Sequence, residues 1–249
     1  MLEPHAALDH LLIAVIAVVS PLADWLWVYP ALRAATAAGV PGARARFYRM
    51  GLLTQWGLTA CVLALWAAKR RPWSGLSMGS GTGRGAAIGT AIVIGVVALL
   101  LAQRRAFLAR ADRLDILHRQ VGSALALLPH TPAELLGFRG LAITAGICEE
   151  ILYRGYVFWY VAVWLGAGWS VLVSSILFGL AHIYLDGRSA VRAGIVGAIM
   201  ALVVWATGSL WWAMILHAAV DLNSGDLAFR ILGGGGGEAD APVGAAPAS

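Results

Sequence analysis

Two adjacent carboxylates, Glu149 and Glu150, are followed four residues later by Arg154, inside the apolar run GLAITAGICEEILYRGYVFWY. An ionised group at membrane depth costs at least ~2.5–3.5 kcal/mol, so it tends to face a protein interior and to serve a purpose there. On a helix, Glu150 and Arg154 form an i, i+4 pair that neutralises itself. Glu149 is turned about 100° away and faces something else. The plainer alternative is a buried ion pair that fixes helix register. Two later clusters supply partners. Phe178 and His182 share one helix face, and His217 and Asp221 share another, with Asn223 two residues on. Phe178 can wall the pocket that holds His182. Asp221 can accept from His217 and fix its tautomer. Taken singly, either histidine suits an interfacial or interhelical role. Together, these groups are costly on membrane helices unless they converge on one polar site.

Such a site activates water in one of two ways. In the first, Glu149 takes a proton from a water held by His182. His217, with Asn223 or a protonated Asp221, then donates to the developing oxyanion. In the second, Glu149, His182 and His217 hold one divalent metal such as Zn²⁺, with an open position for water. The HExxH helix of many zinc proteases is absent. The phosphate-loop pattern is missing too, since the only lysine is Lys69. Ser174 and Ser175 suit packing better than nucleophilic attack. Cys61 and Cys148 make no disulfide framework, and a buried thiol such as that of Cys148 usually behaves as a small hydrophobe.

The elements that position these groups are membrane helices. The chain has 249 residues, 60% of them apolar and 12% charged, against about 25% charged in soluble domains. Mean hydropathy is +0.77. Lipid-exposed backbone must satisfy its own hydrogen bonds, and the apolar runs do not alternate as barrel strands would. The expected fold is therefore all-α, a polytopic membrane helical bundle of about seven to eight transmembrane helices. The spans fall near residues 7–28, 50–68, 86–102, 135–164, 169–184, 190–206 and 210–222. The first lacks a basic leader and a cleavage site, and is expected to be retained. Arg33 to Arg49 forms a basic connection. Gln103 to Gln120 is a charged amphipathic helix, at the membrane surface or extending the third span. Thr131-Pro132-Ala133-Glu134 starts a helix.

Three regions follow: residues 1–134 with the N-terminal spans and the basic connection, 135–230 as the core carrying the polar groups, and 231–249 as a disordered Gly/Pro/Ala tail. The net charge of +5 sits mostly in loops. That fits orientation in the membrane and contact with anionic lipids better than nucleic acid. The early loops weakly put the N-terminus outside. Arg- and Ala-rich usage suits a bacterial inner membrane.

The three clusters resemble the pattern of the intramembrane proteases that include type II CAAX prenyl endopeptidases and bacteriocin-processing proteins, the CPBP or ABI family. That pattern is EExxxR, then FxxxH, then HxxxN or HxxxD, and it matches here from about Leu135 to Ser224. The resemblance implies that Glu149 is the catalytic base and that His182 helps position water. It implies that Glu150 and Arg154 orient the site, with His217 and Asp221 on the oxyanion side. The family more often carries Asn where Asp221 stands, and Asn223 is an imperfect substitute for it. Members are commonly labelled metalloproteases, so the resemblance leaves a metal open. The implied substrate is a peptide, a membrane protein's tail or a bacteriocin-like precursor; no oligomeric state is implied. Two other classes fit the composition: a non-catalytic scaffold or immunity protein of the same fold, and a small proton-coupled transporter. A degenerate scaffold would have lost Glu149 or a histidine. A transporter of this kind often shows paired repeats, and none is present.

Overall fold

The computed structural model describes residues 7–79, 81 and 83–232. Among the described residues every regular element is helical. The expectation of a disordered tail from Gly233 onward lies outside them. Seven helices follow in order: α1 (Ala7–Ala37), α2 (Ala43–Ala68), α3 (Arg84–Leu108), α4 (Arg113–Val121), α5 (Pro132–Leu180), α6 (Gly187–Thr207) and α7 (Leu210–Ile231). Five of them, α1, α2, α3, α5 and α6, are long and apolar enough to cross a membrane. Helix α7, of 22 residues, carries His217, Asp221, Asn223 and Asp226 along its length.

Helix α5 holds 49 residues. Along a straight helix Tyr153 and Phe178 would stand about 37 Å apart, yet their ring centroids are 5.2 Å apart. The chain doubles back at Gly166, whose φ of 80° and ψ of 170° favour a residue without Cβ. The two arms of α5 are the expected fourth and fifth spans. The start of α5 follows its sequence signature. Thr131 accepts from the Glu134 N–H at 3.2 Å, and Glu134 reaches back to the Thr131 N–H at 3.3 Å.

Two boundaries differ from expectation. The basic connection shrinks to residues 38–42, because Arg33 and Arg44 to Arg49 lie on exposed or polar faces of α1 and α2, where helical backbone satisfies itself. The amphipathic stretch divides, its first part extending α3 to Leu108 and its second forming α4 after a turn.

Helix α1 is fastened to the bundle by a buried ion pair that the apolar pattern does not announce. Arg71 donates to Asp9 at 2.9 and 2.7 Å, and the Tyr156 hydroxyl donates to Asp9 at 2.7 Å. The Arg71 guanidinium lies 4.5 Å from the Trp159 ring centroid and 5.3 Å from that of Trp66. Around this clamp Ile16, Val62, Trp66, Tyr153, Tyr156 and Phe178 form the main buried cluster. It carries the first arm of α5 between α1 and α2 on one side and the second arm on the other.

Candidate active site

The EExxxR motif sits where α5 changes its winding. Helix Pro132–Glu149 passes into a π-helical stretch, Glu150–Val157, every residue of which is buried. Such widened turns are frequent at functional sites, and the residue pattern gives no sign of this one. Glu150 is fully buried, and Arg154 is 1% exposed. Arg154 donates to Glu150 Oε1 at 3.1 Å, as the i, i+4 spacing predicts. Its guanidinium also stacks over the Phe178 ring at 4.0 Å.

His217 arrives from α7 with Nδ1 at 2.8 Å from the same Glu150 oxygen. A carboxylate only accepts, so Nδ1 carries the proton. Asp221, expected to accept from His217, stands one turn along α7 at the other ring nitrogen, while Glu150 takes Nδ1. His217 Nε2 is 3.6 Å from Asp221 Oδ2 and 3.8 Å from Glu149 Oε2. Close approach of α5 and α7 makes these contacts. Gly146 lies so near α7 that a Cβ there would stand 2.7 Å from the Ala218 amide nitrogen.

His182 lies in the turn just past the second arm of α5. Its Nδ1 is 2.8 Å from the Phe178 carbonyl oxygen, so Nδ1 donates and the neutral ring keeps Nε2 as an acceptor. The Phe178 ring is 4.7 Å from the His182 ring and 5.9 Å from the His217 ring. Phe178 thus packs against both imidazoles.

Glu149, His182, His217, Asp221 and Phe178 line one cavity of about 520 Å³. Most of its other wall is apolar, with Ile16 and Pro21 from α1, Met50 and Leu58 from α2, and Phe138 and Leu141 from α5. Asn223 does not line it, which leaves Asp221 as the α7 group beside the histidine. Cys148 is buried outside the cavity. Ser174 and Ser175 return their hydroxyls to the Val171 carbonyl at 3.4 and 2.6 Å.

Three features escaped the sequence reading. Asp24 of α1 lines the cavity and lies within electrostatic reach of Glu149 and His182. The signal was a lone carboxylate in the first apolar run. Gln55 of α2 donates from Nε2 to Glu149 Oε1 at 2.9 Å. Residues 75–79, GLSMG, have the G-x-S-x-G spacing of a nucleophile elbow. The strand that such an elbow needs is absent among the described residues, and Ser77 lies outside the cavity, its carbonyl accepting from the Leu210 N–H at 2.9 Å.

The donor set Glu149, His182 and His217 does not fit a metal as arranged. Among the described residues no group of three or more His, Cys, Asp or Glu side chains stands close enough to hold one ion. His217 has also committed Nδ1 to Glu150. Two acceptors, Glu149 Oε2 and His182 Nε2, belong to residues that line this largely apolar cavity.

Residues 131–223 match the family model described as type II CAAX prenyl endopeptidase Rce1-like. No curated protein and no solved structure matches the chain. The matched residues carry Glu149, Glu150, Arg154, Phe178, His182, His217 and Asp221, so the segment that holds the polar groups of this helical membrane protein is similar to the Rce1-like, CPBP-type family.

Proposed function

We propose that this chain is an intramembrane endopeptidase that hydrolyses a peptide bond of a membrane-associated or C-terminal-tail substrate. The observation that carries the reading is a pair of acceptors on residues that line one cavity. Glu149 Oε2 is buried with no hydrogen-bond partner among the described residues, and His182 keeps Nε2 as an acceptor because Nδ1 serves Phe178. A water donating one proton to each points its lone pair away from both, toward a substrate carbonyl.

Glu149 takes one proton as the water oxygen bonds to the carbonyl carbon. His217 in its imidazolium form donates from both nitrogens, Nδ1–H to Glu150 and Nε2–H into the cavity, where the oxyanion forms. The proton held by Glu149 then passes to the departing amine nitrogen as the C–N bond breaks. Glu150 and Arg154 touch no substrate in this scheme; they hold His217 and Phe178. The apolar wall excludes bulk water and takes the substrate's hydrophobic side chains.

The test is cleavage of a membrane-peptide library by the purified protein beside Glu149→Ala and Glu149→Gln, with and without a chelator. The reading expects wild type to cut and both variants to lose at least ~100-fold in rate. Equal cutting by all three would make Glu149 structural and end the proposal. Cleavage that survives the chelator is the outcome the donor arrangement calls for. Loss restored by Zn²⁺ would mean that the site reorganises around a metal.

A further inference from the structure

Gln55 stands on α2, outside the residues that match the family model, yet it makes the one side-chain hydrogen bond recorded for Glu149 among the described residues. We infer that Gln55 is a positioning residue for Glu149: it occupies Oε1 and so leaves Oε2 as the oxygen that accepts the proton from water. The inference rests on the protease reading and adds a residue to it.

The chemistry of the contact fixes its direction. A carboxylate has no proton to give, so the amide must present Nε2. The bond is 2.9 Å long, in the range of charge-assisted hydrogen bonds. With Oε1 held, rotation of the carboxylate is arrested. Oε2 is left buried and unpaired on the cavity side, 3.8 Å from His217 Nε2.

Three observations separate this from ordinary helix packing. Gln55 itself lines the cavity beside Glu149. Its Oε1 is buried without a partner among the described residues, whereas an amide kept for structure usually satisfies both ends. The register that brings Gln55 to Glu149 is set independently. Trp56 Nε1 donates to Thr144 Oγ1 at 3.2 Å, and Arg44 pairs with Glu134 at 3.6 Å, so α2 stays aligned with α5 without the Gln55 bond.

The experiment measures kcat and KM on one cleaved library peptide for wild type, Gln55→Met, Gln55→Asn, Gln55→Glu and Glu149→Gln, with a melting curve for each in detergent. Methionine keeps the length and removes the donor. Asparagine keeps the donor but is one methylene short. Glutamate keeps the shape and sets an acid against Oε1. Expected for Gln55→Met is a fall in kcat of roughly 10- to 100-fold with KM within about twofold, the size of a lost hydrogen bond to a charged group. Gln55→Asn falls between wild type and Gln55→Met, and Gln55→Glu is also slowed. A Gln55→Met that keeps wild-type kcat while Glu149→Gln is dead overturns the inference and leaves the protease reading standing. If Gln55→Met does not fold, an unslowed Gln55→Glu overturns it equally. A Glu149→Gln that cuts as fast as wild type removes the reading on which the inference rests.

Discussion

His217 Nδ1 lies 2.8 Å from Glu150 Oε1, so the histidine of α7 is oriented by a glutamate of α5. The same oxygen accepts from Arg154 at 3.1 Å. One buried atom thus joins the acid, the guanidinium and the imidazole. Glu149, its neighbour in sequence, lines the cavity instead and meets the network only at His217 Nε2, 3.8 Å away. The division of labour between adjacent glutamates follows from the helix: one points to the bundle interior, the other to the space between helices.

Replacing Glu150 tests that network as a unit. Glu150→Ala leaves the Arg154 guanidinium buried with no counter-ion and His217 Nδ1 with no acceptor. Stranding one member of a buried pair costs about 3–5 kcal/mol. The expected result is a lower unfolding midpoint in detergent together with lost cleavage. Glu150→Gln keeps an acceptor for both partners and should unfold closer to wild type while still cutting slowly. Equal stability of Glu150→Ala and wild type would contradict the geometry.

The clamp on α1 makes a separate prediction. Asp9 is fully buried and accepts from both Arg71 and Tyr156. Arg71→Met should cost about 3–5 kcal/mol, because the buried Asp9 carboxylate loses its guanidinium partner. Asp9→Leu combined with Arg71→Met should recover much of that loss. Neither residue lines the cavity, so cleavage per folded molecule should change little. Chemical unfolding of the two single variants and the double variant, with rates normalised to folded protein, measures both parts.

Asp221 offers a test in which a substitution preserves function. Its carboxylate is 3.6 Å from His217 Nε2 and shares that nitrogen with Glu149. An ionised acid there competes with an oxyanion for the same N–H. Asp221→Asn brings a neutral amide whose N–H can donate to the oxyanion. It should cut at least as fast as wild type, whereas Asp221→Ala should fall roughly 10-fold, the scale of one lost donor or orienting bond. A rate for Asp221→Asn as low as that for Asp221→Ala would assign the carboxylate itself an essential role.

The legible part of this molecule was the costly part. Glu149, Glu150, Arg154, His182 and His217 stand out because charge or imidazole inside apolar runs demands a reason. Their i, i+4 spacings gave the Glu150–Arg154 pair and the shared face of Phe178 and His182. Long-range partners were not legible. That Glu150 rather than Asp221 takes His217 Nδ1 depends on how α5 crosses α7, which no local spacing encodes. Gln55 was silent because a lone polar amide in an apolar helix is common. The Asp9–Arg71 pair was not legible, because its members stand 62 residues apart. The fold-back at Gly166 was half legible, as two spans joined without a polar loop.

The crossing itself can be tested at Gly146. This glycine precedes the motif by three residues, at the contact of α5 with α7. A Cβ there would stand 2.7 Å from the Ala218 amide nitrogen and 2.8 Å from its Cβ. Both are parts of a helix that cannot rotate away as a flexible side-chain end can. Gly146→Ala therefore has to push α7 outward, and overpacking of this kind costs about 1–3 kcal/mol. Ala218 follows His217 directly, so the same displacement lengthens the 2.8 Å bond from His217 to Glu150 and withdraws Nε2 from Glu149. The expected variant folds with a modestly lower unfolding midpoint and loses far more cleavage than stability, mainly in kcat. Gly140→Ala serves as the comparison, because a Cβ there meets nothing within 4 Å. It should match wild type in both measurements. Were Gly146→Ala to keep wild-type kcat, the two histidine contacts would not need the close approach of α5 and α7, and the positioning argument for His217 would fall.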